Sequence, residues 1–406
     1  MILSPKCIKW SLIAVVGLYS FLQLYSLIFK MSDRKLCMIP GPIEFHEDVL
    51  TAMSTPATSH VDPLFVPIFG ESIEMIREVV VSKVAQPLIL SGSGTLGWDQ
   101  MVNVIEQGDE VLVLNTGYFG ENFADCLKTY GAKITQLRAP VGSRPTLDEV
   151  TTAVKEKKYK MVTITQVDTS TGVLSDIKTL SLAIKALSPE TLVVIDAVCA
   201  VGSEEIQFDA WKLDVLITGS QKGLGVPPGL SIVVLSEQAI NIYESRKTPV
   251  AAYYSNWKKW LPIMKAYEAR KPAYFATPAV QLIYALHTSL KQITSQPIEK
   301  RWAKHQEVAA KFRKAVKDLG LKQVAVTDDA AANGMTAVWL PEGLVAGQLV
   351  GSLAGKGVQI AGGILGDLSP KYFRVGHMGI SVMERNHIDK VIKAMTESLA
   401  ELGYKQ

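Results

Sequence analysis

At 406 residues the chain exceeds one ordinary core, so two domains are expected. Hydrophobic residues at 48% and charged residues at 20% give the profile of a globular enzyme and exclude a disordered chain. The net charge of +3 and the absence of a long basic run exclude nucleic acid as the main partner.

Ser11 to Phe29 carries no charge over nineteen residues and is flanked by Lys6, Lys9 and Lys30, with Trp10 at its edge. That is long enough for a membrane anchor, and no A-x-A cleavage site follows it. Met31-Ser-Asp-Arg-Lys also resembles an ordinary start, so residues 1–30 read either as an anchor or as a misassigned beginning. Any membrane contact is expected through residues 11–29 alone.

Beyond Pro40-Gly-Pro42, a short helix is expected at His46 to Met53 and a longer one across Pro63 to Val84, from the spacing of Ile68, Ile73, Ile76 and Val80. A strand, Pro87 to Leu90, then meets Ser91-Gly-Ser-Gly-Thr-Leu-Gly-Trp98 and a helix to about Glu106. Gly92, Gly94 and Gly97 satisfy the dinucleotide fingerprint, but the next strand, Glu110 to Leu114, ends in Asn115 where a ribose-binding acid would stand. A phosphate cradle made by Ser93, Gly94 and Thr95 is the better reading.

Strands at Lys133 to Leu137, Met161 to Ile164, Leu192 to Ile195, Val215 to Ile217 and Ser231 to Leu235 alternate with helices at Phe123 to Tyr130, Thr146 to Lys157 and Ile177 to Ala186. This alternation predicts an α/β fold with a mostly parallel sheet sandwiched by helices, and ligands gather at the carboxyl ends of such strands. Ser93, Phe119, Thr169, Asp196 and Lys222 all lie just after predicted strands. Lys222 sits in Gly219-Ser-Gln-Lys-Gly-Leu-Gly-Val-Pro-Pro-Gly229, a loop that can continue neither helix nor strand. A lysine fixed there is a candidate Schiff-base residue, and Asp196 ends the preceding strand as a carboxylate.

From Tyr254 to Pro278 the chain reads as an aromatic connector around Pro262, Pro272 and Pro278. A long helical pattern follows, Val280 to Leu319, broken near Pro297. Strands at Thr336 to Leu340, Val358 to Ile360 and Tyr372 to Val375 then alternate with helices at Ala346 to Lys356 and Arg385 to Leu402. The expected division is an extension at 1–30, a large domain at 31–279 and a smaller α/β domain at 280–406.

The four cysteines show no CxxC spacing and read as reduced thiols of an intracellular protein, and the six histidines show no metal spacing. Gly403-Tyr-Lys-Gln406 is not a peroxisomal address. The compartment and the role of His60 stay open.

Pro40-Gly-Pro, Ser91-Gly-Ser-Gly-Thr, Asp168-Thr-Ser-Thr-Gly172, Asp196-Ala-Val, Gly219-Ser-Gln-Lys222, Tyr274-Phe-Ala-Thr-Pro278 and Arg374-Val-Gly-His-Met-Gly379 together resemble the class V, fold type I pyridoxal-phosphate aminotransferases. The likeness is greatest to those of alanine–glyoxylate type. It implies that Lys222 bonds the cofactor and moves the substrate proton, that Asp196 pairs with the ring nitrogen, and that Thr169 binds the ring hydroxyl. Phe119 takes the ring-stacking position, where many relatives carry tryptophan, and Thr95 stands where some carry histidine. Tyr274 and Thr277 would reach the phosphate of a neighbouring subunit, near Gln221, so a homodimer with shared sites is implied. Arg374 would clamp the substrate carboxylate, with Gly41 offering a backbone contact. The implied reaction passes an amino group from alanine to glyoxylate in a ping-pong cycle. Serine–glyoxylate or serine–pyruvate transfer, 3-hydroxykynurenine transamination and, more distantly, cysteine desulfuration are the related alternatives. The last needs a cysteine in the small domain, and none follows Cys199. A nicotinamide dehydrogenase and a membrane-tethered binding module are the alternatives from other classes.

Overall fold

The computed structural model describes residues 34–405, so the predicted 11–29 span lies outside the described residues. No helix among the described residues is long and apolar enough to cross a membrane.

Seven strands form the central sheet: β1 (Gln86–Ser91), β2 (Glu110–Asn115), β3 (Lys133–Arg138), β4 (Met161–Thr165), β5 (Leu192–Asp196), β6 (Val215–Gly219) and β7 (Leu230–Leu235). Their order is β1-β7-β6-β5-β4-β2-β3, and only β7 runs against the rest. Such a sheet is buried on both faces, which is why β5, β6 and β7 are largely apolar runs and why they and β4 are buried along their whole length. The carboxyl ends of β1, β2, β4, β5 and β6 share one edge, and Asp196 pairs in register with Ile217 across β5 and β6.

The helix expected over Pro63 to Val84 spans Phe65–Val79 and buries Phe65, Phe69, Ile73 and Ile76, packing on helix Val280–Thr294. Its register follows from the apolar residues spaced at three and four positions. The predicted break near Pro297 separates Val280–Thr294 from Ile298–Asp318. The helix expected after the glycine loop shrinks to Leu96–Asp99 and a 3₁₀ turn, Gln100–Asn103.

The aromatic connector is a correction. Trp257–Glu268 is a helix with Pro262 inside it, started by the Asn256 side chain, which accepts from the Lys258 N–H at 3.0 Å. Trp257, Trp260 and Tyr267 are fully buried, and this burial offsets the backbone bond that Pro262 cannot make.

A second sheet contains β8 (Lys322–Gln323), β9 (Met335–Trp339), β10 (Ala361–Gly362) and β11 (Tyr372–Gly376), antiparallel in the order β8-β9-β11-β10. It has its own core of Val308, Phe312, Val338, Leu349, Phe373, Val375, Val391 and Met395. The N-terminal segment joins this core: Leu36–Cys37 pairs in parallel with Val358–Gln359, and Met38 is buried there. From Met38 the chain crosses to the first sheet, where the Ile43 N–H donates to Gln221 O at 3.2 Å.

Candidate active site

Lys222 follows β6 by three residues and is buried. Its Nζ donates to Pro40 O, and its side chain lies along Gly41, where a Cβ would stand 2.4 Å from Lys222 Cδ. Gly41 also has φ +118°, so both sterics and backbone require glycine there. The loop is braced by Gly225 N–H to Lys222 O at 2.8 Å and Val226 N–H to Ser220 O at 3.0 Å. Burial lowers the amine's pKa, which favours a neutral, nucleophilic nitrogen.

Asp196 closes β5 and is buried. Trp98 Nε1 donates to Oδ2 at 3.1 Å and Val198 N–H to Oδ1 at 3.0 Å. Burial nevertheless raises its pKa to about 6, because two hydrogen bonds do not replace the lost hydration of a carboxylate. The indole of Trp98 stacks on Phe123 at 5.2 Å and meets Phe119 at 6.4 Å, edge to face.

Arg374 lies mid-strand in β11 and is buried. Nε donates to Gly362 O at 2.8 Å and Nη1 to Thr169 O at 3.1 Å. Among the described residues Nη2 has no partner and the guanidinium makes no ion pair. Burial lowers its pKa, the sign of a desolvated cation without a carboxylate. Arg374 opposes the charge on Lys222, and Cys199 acts electrostatically on both. Thr169 lies beside Arg374, its carbonyl accepting from Nη1.

The amides of Ser93, Gly94 and Thr95 precede helix Leu96–Asp99 and make no hydrogen bond among the described residues. A Cβ on Gly94 would stand 2.9 Å from Val198, and one on Gly219 would stand 2.8 Å from Gln221 Oε1. Gln221 Oε1 is itself buried without a partner. Free backbone donors, packed too closely for any side chain but glycine, fit a phosphate ester, and the Gln221 amide can turn its NH2 toward the same place. With Lys222 and Asp196 on adjacent strand ends, the residues present fit pyridoxal phosphate.

Tyr274 and Thr277 stand apart. Tyr274 is 62% exposed and lies over His60 with ring centroids 4.8 Å apart. Thr277 is exposed, and neither side chain makes a hydrogen bond among the described residues.

Two further residues of these motifs hold the site together. Trp98 is the indole donor to Asp196, and a tryptophan closing a glycine loop is a signal, since a buried N–H needs an acceptor. Asp168 is fully buried and accepts from Phe119 N–H (3.2 Å), Gly120 N–H (3.4 Å), Ser170 N–H (2.9 Å) and the Ser170 hydroxyl. It therefore ties the Phe119 turn to the Thr169 turn. The two residues are far apart in sequence, so only tertiary structure could pair them.

Residues 74–367 match the model of the class-V aminotransferases. Alanine–glyoxylate aminotransferase 1 of Saccharomyces cerevisiae is 41% identical over 362 residues, covering 86% of this chain and 93% of the yeast protein. L-aspartate–glyoxylate aminotransferase of Paracoccus denitrificans is 31% identical over 353 residues, 86% of this chain and 87% of that one. A solved alanine–glyoxylate aminotransferase from Nostoc sp. superposes with a TM-score of 0.84 at 29% identity, covering 90% of this chain and 95% of its own. A sheet of this order with a lysine, an aspartate and a glycine cradle at one edge, matched over most of its length to these enzymes, belongs to the class-V aminotransferase family.

Proposed function

We propose that this aminotransferase uses pyridoxal 5'-phosphate to move the amino group of alanine to glyoxylate, giving pyruvate and glycine. The observation that carries the reading is the buried Arg374 guanidinium, without a carboxylate partner among the described residues, beside the buried amine of Lys222. Pyridoxal phosphate, when bound, supplies an aldehyde that takes the amino group and a ring that accepts electrons from the substrate carbon.

The chain's own residues would do the rest. Ser93, Gly94 and Thr95 would hold the phosphate by backbone N–H groups, with the Gln221 amide beside them. Asp196 would hold the ring nitrogen protonated; a cation at that place returns its raised pKa toward the ordinary range. Phe119 would cover one face of the ring and the Thr169 hydroxyl would meet its oxygen. Lys222 would bond the cofactor at rest and afterwards carry the proton removed from the substrate carbon. Arg374 would take the substrate carboxylate with two parallel N–H bonds, and the Gly41 backbone would complete that contact. Tyr274 and Thr277, exposed in the single chain, would reach the phosphate held by a second copy.

Alanine is favoured over a dicarboxylic donor because the site motifs supply a single arginine, Arg374, for a single carboxylate. The yeast relative at 41% identity, named for alanine and glyoxylate, supports the same choice. The test is a half-reaction screen of the purified, cofactor-loaded enzyme with alanine, serine and kynurenine, read by the cofactor's absorbance. Alanine should convert it fastest and glyoxylate should reverse the change. An enzyme inert to alanine but converted by serine or kynurenine would overturn the substrate assignment.

A further inference from the structure

The loop carrying Lys222 and the turn that follows Asp196 touch backbone to backbone. A Cβ on Gly202, whose φ is +82°, would stand 2.8 Å from Gly223 O, and one on Gly223 would stand 2.3 Å from Val201 O. Both carbonyls brought together there accept from one side chain. Arg301 Nε donates to Gly202 O at 2.9 Å and Nη2 to Gly223 O at 2.9 Å.

Arg301 comes from outside the first sheet, on helix Ile298–Asp318, whose Val308 and Phe312 belong to the second core. It makes no ion pair among the described residues, and burial pushes its pKa down to about 10 against a weak opposing pull from Glu384. A half-buried cation that uses both arms of its fork on two neutral carbonyls, with no ion pair, is placed to hold backbone and not to balance charge. Its backbone is fixed as well. His305 Nδ1 donates to Arg301 O at 2.8 Å, while His305 Nε2 accepts from Gly379 N–H at 3.2 Å. Gly379 lies three residues beyond β11, the strand of Arg374. Hydrogen bonds thus run from the end of the Arg374 strand through His305 and Arg301 to the residue next to Lys222.

We propose that Arg301 is a positioning residue for amino transfer: it clamps Gly202 O and Gly223 O and so sets Lys222 in register with Asp196. It acts through the backbone and touches no reacting atom. The inference rests on the reading of Lys222 and Asp196 given above. Because Gly225 and Val226 brace the same loop, a shift at Gly223 is passed to Lys222 and not absorbed locally.

The test compares Arg301→Gln and Arg301→Lys with Arg313→Gln, a buried arginine on the same helix that donates to Ala332 O at 3.0 Å and to neither Gly202 O nor Gly223 O. Three readouts are taken on cofactor-loaded enzyme: kcat and KM with alanine, the pH midpoint of the cofactor absorbance, and Tm. Arg301→Gln should lower kcat about 10- to 100-fold, the scale of an ångström's misplacement. KM should stay within about threefold, since Arg374 is untouched. The pH midpoint should shift, and Arg301→Lys should recover part of both losses. Arg313→Gln should lower Tm and leave kcat and the midpoint in place. Wild-type kcat and midpoint in Arg301→Gln, or losses that merely track those of Arg313→Gln, would overturn the inference. Should Arg301→Gln fail to fold, Arg301→Lys is judged by the same criteria. A Lys222→Ala enzyme that still binds cofactor covalently would sink the underlying reading. If that variant loses the bond while the Arg301 variants behave as wild type, only the positioning role falls.

Discussion

Lys222 and Arg374 are both buried basic groups, and the difference in what surrounds them sets different tests. Lys222 has a carbonyl, Pro40 O, as its hydrogen-bond acceptor and is pushed toward neutrality by burial. Lys222→Ala should abolish turnover and covalent attachment of the cofactor, checked by borohydride reduction and mass spectrometry; cofactor fixed to another lysine would refute the assignment. Arg374 cannot shed its charge at neutral pH, so its site favours an anion. Arg374→Ala should keep cofactor attachment, since Lys222, Asp196 and the phosphate cradle are untouched. It should lower kcat/KM by about 2–4 kcal/mol in transition-state terms, the cost of truncating a buried charged partner. Arg374→Lys should fall less, retaining charge without the planar fork. Unchanged alanine efficiency in both variants would place the carboxylate clamp elsewhere.

At the scale of elements, the turn into helix Tyr118–Thr129 shows how a helix can begin where its own sequence offers no cap. Local pattern places the start at Phe123, five residues late, because Gly117 has no side chain to cap with. The acceptor comes instead from Asp168, which takes the Phe119 and Gly120 N–H groups. Asp168→Ala would leave these donors and those of Ser170 unsatisfied in the interior. Stability should drop by about 2–4 kcal/mol in urea unfolding. Cofactor affinity should weaken with it, because Phe119 and Thr169 both lose their anchor. A variant of unchanged cofactor affinity would show that the two turns hold their places without this carboxylate. Helix Leu147–Glu156 is the opposite case. Thr146 and Glu149 form a capping box within four residues, and the sequence pattern locates that helix within a residue at each end.

For the whole molecule, the exposed pair Tyr274 and Thr277 decides whether one chain suffices. If they complete a partner's phosphate site, a Lys222→Ala chain and a Tyr274→Ala/Thr277→Ala chain fail for different reasons and can repair each other. A mixed dimer would hold one intact site, built from the lysine of one chain and the hydroxyls of the other. Refolding the two variants together at equal concentrations should restore about a quarter of wild-type activity, the statistical yield for shared sites in a symmetric dimer. Activity no greater than the average of the separate variants would mean that each chain builds its own site.

Local sequence was enough to locate the strands that carry the site, because a sheet buried on both faces demands short apolar runs and those runs are rare elsewhere in the chain. It also placed Ser93, Asp196 and Lys222 at strand ends, since glycine loops and a terminal carboxylate are visible without knowing their neighbours. The short N-terminal strand Leu36–Cys37 could not be foreseen: two residues carry no period, and its partner Val358–Gln359 lies at the other end of the chain. Helix Trp257–Glu268 was hidden by Pro262, whose cost is offset only by the tertiary burial of Trp257, Trp260 and Tyr267. The pairing of Trp98 with Asp196 and of Asp168 with the Phe119 turn depended on which strand ends the sheet order brings together. The β1-β7-β6-β5-β4-β2-β3 order is a property of long-range packing. Residue type and local pattern determined which groups could do chemistry; the tertiary fold decided which of them meet.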